Sequence, residues 1–143
     1  MVTVSLDVDM PIEQVFDYFA DFRNENEWNL VAHDVVKVGD GAIGVGSTFR
    51  GVYDRMGPMQ YTIEQYDAPR FAAVNGEARM FRWHSTFTFT EEAGRTHVVC
   101  TMDPRPKGLL RVIRPLMSGM VEKQMNRGLA SLKTTLEARR KLA

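Results

Sequence analysis

Few residues of this sequence have a type and spacing that could carry out chemistry on a small molecule. The clearest candidates are His33, His84 and His97, since an imidazole near neutral pH can act as a general base or bind a metal. Their spacing matches no HxH or HExxH pattern, so the sequence predicts no metal site. The chain also has no GxSxG, P-loop, GxGxxG or paired-carboxylate motif. The sequence therefore indicates no particular reaction and no cofactor.

His84 stands in an alternating segment, and its place in that alternation predicts its role. One set of alternate residues is almost entirely aromatic: Phe81, Trp83, Ser85, Phe87 and Phe89. We expect this set to point toward the interior, as one face of a strand with a buried side does. His84 has the opposite parity and is expected to point outward. His97 is expected to point outward by the same reasoning.

Two tyrosines are better placed to orient a ligand, because a phenol can line an apolar pocket and still donate a hydrogen bond. Phe49 and Tyr53 share one face of the third predicted strand, and Arg50 and Asp54 share the other. We expect Phe49 and Tyr53 to point inward, with Tyr61 on the next strand. The alternative places Arg50 and Asp54 in the interior, where a ligand or an ion pair would have to offset their desolvation.

Composition limits the class of protein. The 143 residues suit one domain, 1–143, and 44% of them are apolar, enough for a real core. Lys plus Arg and Asp plus Glu number 18 each, so no excess charge favours a nucleic-acid partner. No apolar run approaches the roughly 20 residues of a membrane span, and no signal-peptide core follows Met1, which predicts a cytoplasmic protein without integral membrane association. Cys100 is the only cysteine and is expected to be an inert, buried residue.

Two spacings of apolar residues, alternation along a strand and the wider repeat along a helix, predict the elements that position these residues. Alternation from Val2 to Val8 predicts a strand, and a helix with Pro11 in its first turn and a second short helix before Trp28 follow it. Val35, Val36 and Val38 mark the next strand. The remaining strands are predicted at 48–55, 59–66, 71–75, 81–91 and 96–102. Turn-forming residues separate them: Gly57-Pro58, Asp67-Ala68-Pro69, Gly76-Glu77, Ala93-Gly94, and Asp103-Pro104-Arg105-Pro106 at the end of the last.

A broad apolar stripe at helical spacing occupies the rest of the chain. Its members are Leu109, Val112, Ile113, Leu116, Met117, Met120, Val121, Met125, Leu129, Leu132 and Leu136. It predicts one long helix of roughly thirty residues, which Pro115 should kink or divide. A sheet of about seven strands cannot cover its own apolar face, so we expect an α+β fold in which a curved antiparallel sheet wraps this helix. Such curvature tends to leave a cavity between sheet and helix.

Several segments resemble the polyketide cyclase/dehydrase and lipid transport superfamily, which has the helix-grip fold of START domains and the birch-pollen allergen. The segments are VDMPIEQVFDYFAD (8–21), EWN (27–29), GVGSTF (44–49), EQYDAPRF (64–71) and FTF (87–89). The resemblance extends over nearly the whole chain. It implies a hydrophobic pocket that accepts a lipid, a polyketide or another aromatic molecule, with Trp28 at its mouth.

These observations give one set of candidate ligand-binding residues and three hypotheses of function. The set is Trp28, Phe49, Tyr53, Tyr61, Phe81, Trp83, Phe87, Phe89, Met117 and Met120, of which the methionines would form a pliable lining. The first hypothesis is binding of a small hydrophobic or aromatic ligand by a monomer or homodimer. The second is an enzyme similar to cyclases or dehydratases, with Tyr53, Tyr61 and Arg50 as the polar groups. The third is a protein-interaction role. Trp28 has an alternative, structural role, in which it packs the short helices against the sheet.

Overall fold

The computed structural model describes residues 1–142. The alternating and helical spacings of apolar residues correspond to seven strands, three α-helices and two short 3₁₀ turns in this part of the chain. The strands are β1 (Val2–Val8), β2 (Ala32–Val38), β3 (Thr48–Tyr53), β4 (Gly57–Asp67), β5 (Phe71–Ala78), β6 (Phe81–Glu92) and β7 (Arg95–Pro106). The helices are α1 (Ile12–Ala20), α2 (Glu25–Trp28) and α3 (Arg114–Leu142), with 3₁₀ turns at Phe22–Asn24 and Gly108–Ile113.

The strands form one antiparallel sheet in the order β1-β7-β6-β5-β4-β3-β2. The chain passes from one edge to the other through α1 and α2, and then returns strand by strand. The register shifts in β2 between His33 and Val36 and in β4 between Ile63 and Gln65. Such irregularities bend strands and increase their twist, which curves the sheet toward the helices. The predicted fold class, an α+β fold with a long C-terminal helix against the sheet, is confirmed.

Three predicted strand ends are wrong, because the glycines and prolines there lie within strands. Gly57 and Pro58 begin β4, and Gly76 pairs with Trp83 in the middle of β5. Gly76 is needed for space rather than for a turn, since a Cβ atom there would lie 2.0 Å from Cε2 of Trp83. β7 continues to Pro106, although its pairing with β1 stops at Met102. Beyond Met102 the strand has one neighbour, and prolines are tolerated on such an edge.

The core lies between the sheet, α1 and the second half of α3. Phe16 and Phe19 of α1 pack edge-on against Phe89 at centroid distances of 5.0 and 5.6 Å. Leu132 and Leu136 of α3 are almost fully buried. α1 has no capping side chain of its own; instead the Ile12 N–H donates to a carboxylate oxygen of Glu91 on β6 at 2.6 Å. The helix start is thereby fixed to the sheet.

The first part of the predicted C-terminal stripe does not pack against the sheet. Leu109 is 94% exposed and Val112 is 84% exposed, and both lie in the 3₁₀ turn that precedes α3. Pro115 is the second residue of α3, where its missing N–H has no intrahelical partner to lose, so it begins the helix instead of kinking it. Within residues 1–142 no helix is long and apolar enough to cross a bilayer.

Candidate functional site

A cavity of about 700 Å³ lies between the first half of α3, the α1–α2 segment and the concave face of the sheet. Its inner wall comes from β4 to β7, whose inward residues include Met59, Val74, Ser85 and Met102. Its outer wall comes from α3, with Met117, Val121 and Met125 among others. Apolar side chains form most of the surface. Volume and lining are in the range typical of small-molecule sites in proteins.

The structure brings most of the predicted ligand-binding residues together at this cavity. Eight side chains of that set line it: Trp28, Tyr53, Tyr61, Phe81, Trp83, Phe87, Met117 and Met120. Trp28 stacks on Phe19 at a centroid distance of 6.0 Å and also reaches α3 beside Gly128, so it holds α2 in place while it borders the cavity. Contact of these residues with a ligand stays a prediction.

Phe49 and Phe89 do not line the cavity, contrary to the sequence-based expectation. Both point inward as predicted, but both are essentially fully buried in the core. Phe49 is covered by Phe22 and Tyr61, and Phe89 by Phe16 and Phe19. Alternation predicts which face of a strand is inward, but it carries no information on which inward residues border a cavity.

The polar residues of the cavity converge on Glu25, which the sequence analysis did not select. Its Oε1 atom lies within hydrogen-bond distance of the hydroxyl oxygens of Tyr61, at 2.9 Å, and Tyr53, at 3.1 Å. The two hydroxyls lie 2.8 Å apart, so the three oxygens form a closed triangle that we term the carboxyl–phenol ring. The Oε2 atom accepts from Asn29 Nδ2 at 2.7 Å. All four residues line the cavity.

A count of protons indicates that Glu25 is a neutral carboxylic acid. Three short oxygen–oxygen contacts need three protons, and the two hydroxyls supply only two. A protonated Glu25 supplies the third, after which each oxygen of the ring donates once and accepts once. The residue is only 8% exposed, and no cation of residues 1–142 pairs with it. Burial raises the pKa of Glu25 and outweighs the hydrogen bonds from Asn29 and the tyrosines, which lower it.

The two phenols keep their protons for the same reason. Burial raises the pKa of Tyr53 and of Tyr61 well above the usual value for tyrosine. Burial also raises the pKa of the Cys100 thiol to about 12. Cys100 lines the cavity as a neutral thiol, so it is not positioned as a nucleophile. The cavity interior therefore offers neutral hydrogen-bonding groups and no ionised nucleophile.

Two indole N–H groups beside the cavity have no hydrogen-bond partner within the described part of the chain. The Nε1 atoms of Trp28 and Trp83 are buried and unpaired among residues 1–142. An unpaired buried donor costs free energy, about 1–3 kcal/mol when its partner is lost. The rings of both residues line the cavity, and they are the only tryptophans of the chain. Because the Nε1 atoms themselves are covered, the indoles contribute apolar ring surface to the cavity wall.

The histidines and Arg50 lie elsewhere. His84 and His97 are on the outer face of the sheet, where they contact Asn75 and Asp7 at 2.6 and 2.8 Å. His33 is exposed and bonds Asp54, which is on the cavity rim. Arg50 is exposed on the outer face, so the alternative that placed it and Asp54 in the interior is wrong. No group of three metal-binding side chains occurs within the described part of the chain.

The signal that could have identified Glu25 was its distance from Trp28. Residues three apart on a helix share a face, so a tryptophan predicted at the mouth of a pocket brings Glu25 to the same pocket. The surrounding segment, with Arg23, Asn24 and Glu27, is polar throughout and is typical of a solvated helix. No local pattern distinguishes Glu25 from Glu27, which is half-exposed and binds Arg139 and Tyr18 at the surface.

A curved antiparallel sheet and a long C-terminal helix packed on it define a helix-grip fold. The model of the polyketide cyclase/dehydrase and lipid transport family matches residues 1–137, and the chain belongs to that family. No curated protein matches this sequence.

Several solved structures share the fold at low sequence identity. A START superfamily protein from Mycobacterium smegmatis superposes with a TM-score of 0.79 at 14% identity, over 96% of this chain and 97% of that one. The aromatase/cyclase Zhui from a Streptomyces species has a TM-score of 0.78 at 18% identity, over 96% and 93%. A protein from Thermus thermophilus has a TM-score of 0.79 at 19% identity, over 96% and 97%. At these identities the similarity shows the fold alone.

Proposed function

We propose that this protein binds a small hydrophobic or aromatic molecule in the cavity between the sheet and α3. The observation that carries the proposal is the cavity of about 700 Å³ with its apolar lining and its few neutral polar groups. A closely packed core has no comparable space, because voids that large forfeit dispersion contacts and cost stability. Membership in a family described by polyketide and lipid ligands supports the same assignment.

The neutral carboxyl–phenol ring defines the polar part of the proposed ligand. Its three protons are shared within the ring, so its oxygens accept a hydrogen bond from a ligand hydroxyl, and they donate to a keto oxygen only when one of these protons turns toward it. A ligand with hydroxyl or keto oxygens on an apolar or aromatic body would pair with the ring. Such pairing gives orientation, whereas the apolar lining gives most of the affinity. A single domain, 1–143, that works in the cytoplasm as a monomer or homodimer stays our prediction for the setting of this activity.

A neutral apolar dye tests the binding proposal with a matched pair of variants. Ser85 is buried, points into the cavity from β6 and has room beside it, so Ser85→Phe should fill the site. Thr88→Phe places the same ring on the exposed outer face of the same strand. N-phenylnaphthylamine should bind the wild type and Thr88→Phe with one saturable site, and Ser85→Phe at least about tenfold more weakly, a loss of about 1.4 kcal/mol. Equal binding by the two variants, or none by the folded wild type, would refute the proposal.

The carboxyl–phenol ring favours an enzyme as a second candidate function. If Glu25 turned its proton toward a ligand carbonyl, Tyr53 and Tyr61 could keep their mutual hydrogen bond. A carboxylic acid that donates to a carbonyl oxygen stabilises the negative charge that develops there as a water molecule takes the proton from the adjacent carbon during enolisation. This assignment replaces Arg50, which is outside the cavity, with Glu25 as the group to test.

Hydrogen–deuterium exchange at the central carbon of benzoylacetone measures such enolisation directly. If the enzyme hypothesis is correct, the wild type accelerates exchange over buffer, Glu25→Gln reduces the acceleration, and Glu27→Gln leaves it unchanged, because Glu27 is outside the cavity lining. Exchange that is no faster with protein than without, while N-phenylnaphthylamine still binds, would leave the binding function and exclude this chemistry.

A further inference from the structure

The rim of the cavity carries positive charge, in contrast to its neutral interior. Arg55, Lys123 and Arg127 are among the residues that line it, and all three are exposed. Lys123 and Arg127 are four residues apart on α3 and so project from one face of the helix. Arg55 comes from the turn between β3 and β4. The cations thus reach the same opening from opposite walls.

These three cations have no partners within residues 1–142. None of them makes an ion pair or a side-chain hydrogen bond there, whereas Arg114 and Arg139 bind Asp103 and Glu27 at 2.6 and 2.9 Å. The chain as a whole has equal numbers of acidic and basic residues. Lys37, Arg95 and Lys141 likewise have no ion pair in this part of the chain, but they lie outside the cavity lining, whereas Arg55, Lys123 and Arg127 are the basic residues of that lining.

The acids of the cavity lining offset at most one of these three charges. Asp54 is held by His33, with 2.9 Å between Oδ1 and Nε2. Glu25 is buried in the carboxyl–phenol ring, where the proton count makes it neutral. An anionic group at the opening would therefore meet three free cations and one acid that already has a partner.

The face of α3 that borders the cavity changes character along its length. Leu116, Met120, Lys123 and Arg127 follow one another at intervals of four, three and four residues, which places them in one stripe. Its first two members are apolar although they are 68% and 60% exposed, and its last two are basic. Arg55 is held in left-handed backbone with φ of 71°, a conformation that is costly for a residue with a Cβ atom.

We propose that the ligand is an amphiphile whose apolar body enters the cavity and whose single anionic group, a carboxylate or a phosphate ester, binds Arg55, Lys123 and Arg127 at the rim. This inference rests on the proposed function and narrows its ligand class. An arginine binds either anion through parallel N–H donors, and lysine adds a point charge. A neutral interior and a cationic rim match the two ends of such a molecule.

Two dyes with the same aromatic body separate this inference from the proposed function. Anilinonaphthalenesulfonate is N-phenylnaphthylamine with an added sulfonate, so their affinity ratio reports the contribution of the anion. Exposed ion pairs contribute a factor of about two each, so three cations predict about 5- to 10-fold tighter binding of the sulfonate. The ratio should approach one in molar salt, where the Debye length is about 3 Å. Equal affinities at low salt would overturn the inference and leave the binding function intact; binding of neither dye would overturn both.

Two triple variants that remove the same charge test whether the rim cations cause the tighter binding of the sulfonate dye. Arg55→Asn, Lys123→Gln and Arg127→Gln together remove the rim charge, and asparagine tolerates the left-handed backbone at position 55. Lys37→Gln, Arg95→Gln and Lys141→Gln remove the same charge outside the lining. The rim variant should bind the two dyes with equal affinity. The control should keep the wild-type ratio. Loss of the ratio in both variants would assign it to net charge and contradict the inference.

Displacement of N-phenylnaphthylamine by alkyl chains of one length distinguishes the two sources of anion. Dodecanoate and dodecyl phosphate should both displace the dye at lower concentration than dodecanol. A lower concentration for the carboxylate would indicate a free fatty or aromatic acid, and a lower concentration for the phosphate would indicate a phosphorylated or phosphate-linked ligand. Dodecanol as effective as both would refute the role of the rim.

Discussion

Phe87 and Phe89 project from the same face of β6, two residues apart, and belong to different parts of the molecule. Phe89 lies in the packed end of the interior, which comprises α1 and the second half of α3. Phe87 lies at the cavity end, below the first half of α3, and remains partly exposed. One strand thus contributes to a closely packed core and to the wall of a binding site. Substitutions that change only one end therefore separate stability from binding.

The largest expected effect is at the packed end. Phe89→Ala should lower the free energy of unfolding by about 3–5 kcal/mol, because the ring is surrounded by Phe16 and Phe19 and leaves a cavity. Phe87→Ala should cost less, about 1–2 kcal/mol, because its ring packs on Phe19 and Phe22 but also borders the cavity and is partly exposed. Urea denaturation of both variants gives the two values. A loss for Phe87→Ala as large as that for Phe89→Ala would show that no open space borders Phe87.

The two halves of α3 should also differ in their contribution to stability, because the second half packs in the core and the first half borders the cavity. Leu132 is fully buried, and Leu132→Ala should cost about 3–4 kcal/mol. Leu116 is 68% exposed, and Leu116→Ala should change stability by less than about 0.5 kcal/mol. Both substitutions are compatible with a helix, so propensity does not separate them. If thermal and urea unfolding gave similar losses for the two leucines, the first half of α3 would have to lie on the sheet.

A smaller loss of stability is expected at Gly76, where the cavity wall leaves no space beside the Trp83 ring. Gly76→Ala would place a Cβ atom 2.0 Å from the Trp83 ring, so the indole must move, at a cost of about 1–3 kcal/mol. The change in Trp83 should also be visible in the tryptophan emission. Gly44→Ala is the matched control, because nothing lies within 4 Å of its Cβ position. An unchanged emission spectrum together with full stability for Gly76→Ala would contradict the close contact of Gly76 with the indole.

The most specific effect on stability, and one that depends on pH, is expected at Glu25. Because burial raises the folded-state pKa of Glu25 above its unfolded value, the folded protein keeps a proton that the unfolded chain releases. Stability should therefore be complete below the unfolded pKa, about 4.3, and should fall as pH rises toward the folded pKa, by at most about 1.4 kcal/mol per pH unit.

Glu25→Gln keeps the shape of a neutral acid and cannot ionise. It should remove this fall between pH 5 and the onset of tyrosine ionisation, whereas Glu27→Gln should retain it. Urea denaturation across that range measures the slope. A wild-type slope equal to that of Glu25→Gln would mean that the buried carboxyl titrates normally.

Alternation in the sequence was sufficient to predict the fold and the inward faces of β3 and β6. It assigned Tyr53 and Phe89 inward and His84 outward, because each strand has only two faces. Turn residues were less informative: Gly76 has the composition of a turn but is required by the indole of a neighbouring strand. Such a requirement arises between strands and has no signature along the chain.

The candidate site was predictable in its apolar part and not in its polar part. Tyr61 and Trp83 occupy inward positions that a periodic pattern reveals. Glu25 becomes a buried acid only because two strands bring hydroxyls to it, which depends on the register of β3 with β4. Leu109 and Val112 continue the apolar stripe of α3 by spacing, yet no sheet lies beneath them. Periodicity shows which face is apolar, and tertiary structure decides what covers it.

The proposed binding function requires an apolar ligand in the cavity whose wall contains both tryptophans. Bromine quenches indole emission only near contact, so bromodecanol tests this claim in the single-tryptophan variants Trp28→Phe and Trp83→Phe, with decanol as the unbrominated control. Emission from each remaining tryptophan should fall with the same saturable midpoint for bromodecanol, and decanol should compete without quenching. Saturable binding of bromodecanol that quenches neither tryptophan would place the ligand outside the cavity and contradict the proposed binding function.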